Sequence, residues 1–216
     1  MKKISLILAA LLAVFITSCE TKQQEKMEVN KKDVVVDNIM NRRSIRSYKP
    51  EQVKDAELEQ IIECGINAPS GLNKQSWEVR VIQNPDLIAE INNGFVKYAA
   101  GLQMEGSASN SQKPGFSVFH GAPTVILVAS DGSQYSPVDC GLLGENILLS
   151  AEAMDIGTCV VGGVTEYLNT PEAKENIVPK FKLSEGYKPL YCIVMGYKNE
   201  SPKAKPRDQS IVEYIK

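Results

Sequence analysis

The chain has 216 residues, 43% hydrophobic and 23% charged, which is ample for one globular domain with a real core and too apolar for a disordered chain. The formal net charge of -2 excludes a general nucleic-acid partner, because backbone phosphates call for a basic face. One histidine and five cysteines without a Cys-x-x-Cys pair exclude the usual zinc and thiol-redox sets.

Lys2 and Lys3 precede an apolar run from Ile4 to Ile16, followed by Thr17-Ser18-Cys19. This pattern reads as a secretory signal over 1–18 rather than a membrane span. Ile16-Thr17-Ser18-Cys19 resembles a bacterial lipobox, which makes Cys19 the expected lipidated residue and the product an exported, membrane-anchored lipoprotein. An uncleaved anchor, or a later start at Met27 or Met40, would leave the chain otherwise placed. Residues 19–32 are polar and charged and are expected to form a flexible tether to a domain over 33–216.

Asp33 to Arg43 has the apolar spacing of a helix that Asp33 could cap. The stretch Arg42-Arg43-Ser44-Ile45-Arg46-Ser47-Tyr48 follows, dense in guanidiniums and hydroxyls. Arg offers a planar fork of donors that suits phosphate; a solvated basic helix end is the plainer alternative. A second helix is expected over Glu51 to Asn67, ended by Ala68-Pro69-Ser70-Gly71. The alternation of Trp77 to Gln83 predicts a half-buried strand. A third helix runs from Asn84 to about Ile91. Residues 92–117, with several glycines and with Phe95, Tyr98 and Phe116 among them, read as a mobile insertion of the kind that covers a binding site.

Thr124 to Ala129 is a continuous apolar run that suits a central strand. Ser136 to Ile156 is the longest predicted helix, apolar on several faces, as befits a core helix or a subunit interface. Gly141, Gly144 and Ala151 would admit another helix closely. Gly157 to Gly163 predicts a short strand ending in paired glycines, where backbone can approach a ligand. A short helix over Pro171 to Val178, a buried strand over Leu190 to Gly196, and a helix or added strand over Ser210 to Lys216 complete the reading. Alternating helices and strands imply an α/β or α+β sandwich. His120 reads as a packed or capping residue, and Cys64, Cys140, Cys159 and Cys192 as small buried hydrophobes. A P-loop, a Gly-x-Ser-x-Gly elbow and a dinucleotide fingerprint are all missing.

The ordered set Arg-Arg-Ser-Ile-Arg, Ala-Pro-Ser-Gly-x-Asn-x-Gln-x-Trp, His-Gly-Ala-Pro-Thr-Val-Ile-Leu-Val, Asp139-Cys140-Gly141, Asn146 to Leu149, Gly157-Thr158-Cys159 and Met195-Gly196-Tyr197 with Lys203 to Arg207 resembles the FMN-dependent nitroreductase family over about residues 34–212. The resemblance implies an α+β three-layer sandwich with a central, mostly antiparallel sheet flanked by helices. It implies a homodimer with two FMN sites at the subunit interface. It places Arg42, Arg43, Ser44 and Arg46 on the flavin, with the first Arg and the Ser at the phosphate and Arg46 near the pyrimidine edge. Pro69, Ser70 and Asn73 would contact it from the other subunit. Val161, Gly162 and Gly163 would lie beside the ring, and Lys205 and Arg207 would close the phosphate site. Phe95, Tyr98 and Phe116 are the expected substrate-pocket residues. The implied activity is ping-pong hydride transfer from NAD(P)H or another donor to nitroaromatic, quinone or similar electron-poor acceptors. The flavin carries the chemistry, so no protein residue is named as catalytic. A lipoprotein that stores or senses FMN without turnover would need the same contacts.

Overall fold

The computed structural model describes residues 31–216. The expected signal and Cys19 lie outside the described residues. Within Val35–Lys216, one structural unit, four strands form a sheet in the order β1-β2-β4-β3: β1 (Trp77–Ile82), β2 (Thr124–Ser130), β3 (Ile156–Val161) and β4 (Lys188–Tyr197). Every neighbouring pair is antiparallel. The β2–β4 register shifts between Val128 and Ala129, where Pro189 faces Ala129 and has no N–H to give to the ladder.

Alternate side chains of a strand point to opposite faces, and here both faces are covered. Val125 and Leu127 of β2 enter one core with Cys192 and Val194 of β4. Ile126 and Val128 enter the other with Ile193 and Met195. The first core is roofed by α3 (Pro85–Ala99), α5 (Val164–Leu168) and α6 (Pro171–Asn176), and the second by α2 (Asp55–Ile66) and α4 (Ser136–Ala153). Helices, sheet and helices make the three-layer α+β sandwich. All seven residues of β2 are buried, which is why its sequence is continuously apolar rather than alternating.

The helix boundaries carry the corrections. Helix α1 spans Lys31–Asn41, so Asp33 lies in its first turn instead of capping it. Helix α2 starts at Asp55; Val53 is buried but precedes it. Helix α3 runs eight residues past its expected end, to Ala99. Its Gly94 is no breaker: a Cβ there would stand 2.0 Å from the Tyr167 hydroxyl oxygen, so glycine is what lets α5 pack closely. Asn84 caps α3 by accepting from the Asp86 and Leu87 amides. Gly144 likewise makes room for the Tyr191 ring of β4, not for another helix. Ser210–Lys216 forms neither helix nor strand, and Ile211, Tyr214 and Ile215 stand exposed.

Cys140, Cys159 and Cys192 are buried and Cys64 partly so, all four as free thiols. Burial pushes Cys192 up to about 12 and Cys140 up to about 11, so both stay protonated and act as small apolar groups. No helix among the described residues is long and apolar enough to cross a membrane.

Candidate functional site

The basic stretch is extended, and that conformation sorts its side chains. Ser44 bridges to Thr158 of β3 and the Ile45 amide donates to the Thr158 carbonyl at 2.9 Å. Tyr48 bridges to Lys198, the Asn199 amide donates to the Ser47 carbonyl, and the Lys49 amide donates to the Tyr197 carbonyl. Residues 44–49 are therefore stitched to the β3 edge and to the chain leaving β4. With a period of two, Ile45 points inward and is buried against Gly157, while Ser44 and Arg46 face the other way.

The outward side meets the chain after β4. Arg42, Arg43, Ser44 and Arg46 line a cavity of about 140 Å³ with Pro202, Lys203, Lys205 and Arg207. Six cationic side chains thus share one small space. The ion pairs among the described residues are Lys54–Glu57, Arg80–Glu78, Lys180–Glu90 and Lys198 with Glu152 and Asp155; none involves these six. Arg43 is divided in its loyalties: its Nη1 donates to the Met40 and Arg42 carbonyls at 2.6 and 2.9 Å, closing the end of α1 as a helix-terminal cation does. Arg43 thus fits the plainer helix-end alternative, while Arg42, Ser44 and Arg46 line the cavity.

Glu200 was not among the expected site residues. Its carboxylate accepts the Arg46 amide, which ties the basic stretch to the arm carrying Lys205 and Arg207. Only the tertiary fold could reveal it, since the partners are 154 residues apart.

The other expected contacts lie elsewhere. Val161 closes β3, Gly162 and Gly163 follow it, and the Gly162 carbonyl accepts from Thr165 Oγ1 at 2.6 Å as α5 begins. Pro69, Ser70 and Asn73 precede β1, at the opposite edge of the sheet. Three strand spacings separate the edges, about 14 Å. A single chain brings Arg42, Ser44, Arg46, Lys205 and Arg207 together, and leaves Pro69, Ser70 and Asn73 apart from them.

The loop before β1 is unusual in its backbone. Leu72, Asn73 and Gln75 all have positive φ, of 54°, 53° and 50°. Each left-handed non-glycine residue costs about 1 kcal/mol or more, so something must hold the loop. Ser70 Oγ accepts the Gln75 amide at 3.0 Å. The buried Asp139 carboxylate, at the start of α4, accepts the Gly71 amide at 3.1 and 3.2 Å through its two oxygens. Leu72 is 86% exposed.

Of the three expected pocket residues, Phe95 is a correction. It has 0% exposure and stacks on Phe116 in the core, with ring centroids 6.2 Å apart. An aromatic at that position of an amphipathic helix is turned inward, and the sequence could not show this while α3 was read as ending at Ile91. Tyr98 is half-buried between Phe95 and Tyr167. Phe116 borders a depression of about 400 Å³ with Ser107, Asn110, Ser117 and His120. Burial first, and then the Arg46 guanidinium, hold the His120 imidazole below its ordinary value, so this lone histidine is neutral at pH 7.

Comparison with known proteins agrees with this geometry. Residues 39–197 match the Nitroreductase family. The chain is 28% identical over 179 residues to an FMN reductase [NAD(P)H] of Bacillus subtilis, covering 80% of this chain and 69% of that one. Among solved structures, a nitroreductase with bound FMN from Desulfitobacterium hafniense is 30% identical with a TM-score of 0.78, covering 84% of this chain and 98% of that one. Another, from Bacteroides fragilis, shares the fold at a TM-score of 0.76 and 24% identity, covering 84% and 98%. With its sheet order, its cation-lined edge and a family match over most of its length, this chain belongs to the nitroreductase family.

Proposed function

We propose that this protein is an FMN-dependent, NAD(P)H-oxidising reductase that works as a homodimer, each flavin lying between the cation-lined edge of one chain and the Pro69–Asn73 loop of the other. The observation that carries the reading is the set of six cations, without an ion pair among the described residues, drawn from residues 42–46 and 203–207 around one cavity. Clustered cations repel one another, and an anion that accepts from several of them at once relieves the repulsion. A phosphate monoester fits this donor set. The cavity's volume of about 140 Å³ is below the roughly 300 Å³ at which small-molecule pockets begin. It takes the phosphate end, and another surface must cover the ring.

A second copy of the chain is the natural source of that surface. Tyr135, just before α4, and Val138 and Leu142 on it form an exposed apolar stripe, Gly71 lies against the Tyr135 ring, and Leu72, Ile39 and Met40 are exposed as well. An exposed apolar stripe at helical spacing favours a partner.

Within that dimer each residue has a task. Arg42, Ser44, Lys205 and Arg207 bind the phosphate. Arg46, exposed at the other end of the stretch, supplies a fixed positive charge for the pyrimidine edge of the ring, where negative charge accumulates on reduction. Val161, Gly162 and Gly163 offer backbone beside the ring with few side chains in the way. When bound, the flavin supplies hydride transfer from the nicotinamide and then to a nitroaromatic, quinone or similar acceptor, in turn at one face. The depression bordered by Phe116 and His120 receives the acceptor.

The test is the visible spectrum of the purified protein, followed by stopped-flow mixing. Flavin absorbance, bleached by NADH or NADPH and restored by a nitroarene or quinone, is expected. Absence of flavin binding overturns the reading. A bound flavin that neither nucleotide bleaches points instead to a storage or sensing protein. We further assign Cys19 as a lipidation site and the protein as exported, on the pattern from Lys2 to Cys19; labelled lipid incorporated into the protein and lost in Cys19→Ala is the expected result.

A further inference from the structure

We propose that Asp139 is a positioning residue for flavin binding: its carboxylate holds the Gly71 amide and thereby fixes the loop that presents Ser70 and Asn73 to the ring. The inference rests on the reading that Pro69–Asn73 contacts a flavin, and adds a residue that touches neither cofactor nor substrate.

The loop closes on itself through the Asn73 amide to the Ser70 carbonyl at 2.9 Å, the Lys74 amide to the Gly71 carbonyl at 3.1 Å and the Gln75 amide to Ser70 Oγ at 3.0 Å. These bonds shape it but do not attach it. Ala68 and Ser76 are buried at its two ends, while Leu72 through Gln75 are exposed. Between the ends, the polar tether to the body of the protein is the pair of contacts from the Gly71 amide to Asp139 Oδ1 and Oδ2. Asp139 is 4% exposed, so it is not a solvated helix-surface acid. Its place in the first turn of an 18-residue helix favours its negative charge.

Of the six non-glycine residues with positive φ among the described residues, three fall in this loop. Strained backbone persists where the surroundings over-determine it, and it concentrates at binding sites. The cation-lined edge needs no such device, because sheet pairing already holds residues 44–49. Removing the Asp139 acceptor leaves the loop free to relax, and the side chains of Ser70 and Asn73 move with it.

The experiment compares FMN with riboflavin, which lacks the phosphate, by fluorescence titration of wild type, Asp139→Asn, Asp139→Leu and Asp139→Ala, with circular dichroism as the check of folding. Asp139→Asn keeps an acceptor oxygen and should bind both ligands within about threefold of wild type. Asp139→Leu keeps the shape but not the acceptor, and with Asp139→Ala should weaken both ligands by the same factor, about tenfold, or roughly 1.4 kcal/mol. An equal loss is the signature of a ring-side effect; a merely structural role would lower the melting temperature and leave both affinities alone. The proposal falls if folded Asp139→Leu and Asp139→Ala bind both ligands as wild type does, or lose FMN alone. It falls too if neither folds, since Asp139 is then a residue of the fold. Wild type that binds neither FMN nor riboflavin sinks the flavin reading itself, and this proposal with it.

Discussion

The two edges of the sheet solve the same problem by opposite means. At the β3 edge, residues 44–49 lie extended, paired to Thr158, Tyr197 and Lys198, and the candidate site is an accumulation of charge. At the β1 edge, residues 70–75 carry three left-handed backbones and present little charge, and the site is an accumulation of strain tethered by one buried carboxylate. A phosphate is bound by long-range attraction that tolerates flexible side chains. A flat, largely uncharged ring is bound by shape and by hydrogen bonds of limited reach, which demand a fixed backbone. On the proposed reading, the difference divides the site by ligand chemistry, with the charged end given to one edge and the shape-dependent contacts to the other.

Removing charge from the β3 edge should have the largest effect. Arg207→Ala is expected to weaken FMN by about 1.5–3 kcal/mol, and Arg42→Ala with Arg207→Ala by about 3–6 kcal/mol if the two act independently. Riboflavin affinity should be unchanged in both; an equal loss of riboflavin would dissolve the division between the edges. Next comes the separation of the edges between two chains. Val138, 64% exposed on the stripe of α4, changed to Glu places a charge in the proposed interface. Monomers by sedimentation, with FMN weakened by about 2 kcal/mol, the scale of an interface hot spot, are the expected outcome. Monomers that hold FMN undiminished would place the whole site in one chain.

A smaller effect of opposite sign belongs to the β1 edge. Leu72→Gly deletes a side chain that packs on almost nothing and relieves a left-handed conformation, so a gain of about 0.5–1 kcal/mol in denaturant unfolding is expected for the monomeric state. A loss there would mean that the loop carries no strain.

The smallest effect is that of pH, read at the boundary of the cation-lined edge. The folded chain holds His120 below its ordinary value, so the unfolded chain binds that proton more readily. Stability is therefore unaffected by this group well above the ordinary value of about 6.5, and falls as pH drops through it. It is the chain's sole histidine, and His120→Asn, which tolerates the positive φ of 56°, should flatten the melting temperature between about pH 7 and pH 5.5. An unaltered slope would assign it to the carboxylates.

Much of this could be read without coordinates. The apolar run Thr124–Ala129 of β2, the strand–glycine junction at Val161–Gly163 and the long α4 follow from periodicity and turn chemistry, which act locally. The cations were legible as a dense basic stretch and, through the family resemblance, as partners of Lys205 and Arg207; that they line one cavity was seen in the structure. Phe95 was misread because α3 continues through Gly94, whose lack of a side chain serves the packing of Tyr167, a residue far along the sequence. Glu200 and Asp139 were invisible in their roles for the same reason: each acts on a backbone amide, and an amide carries no residue identity for a sequence to reveal.

The sequence by itself determined the residue types: six cations near two chain segments, a Pro-Ser-Gly turn, paired glycines after a strand, an apolar helix without an assigned partner. The tertiary structure decided which of these meet. Strand order is set by which long-range ladders bury the most apolar surface while satisfying every backbone group, a global competition that no local pattern encodes. That order puts Arg42 and Arg207 at one cavity and sends Ser70 and Asn73 to the far edge. It also gives Asp139, an ordinary first-turn acid in the sequence, a backbone amide to hold.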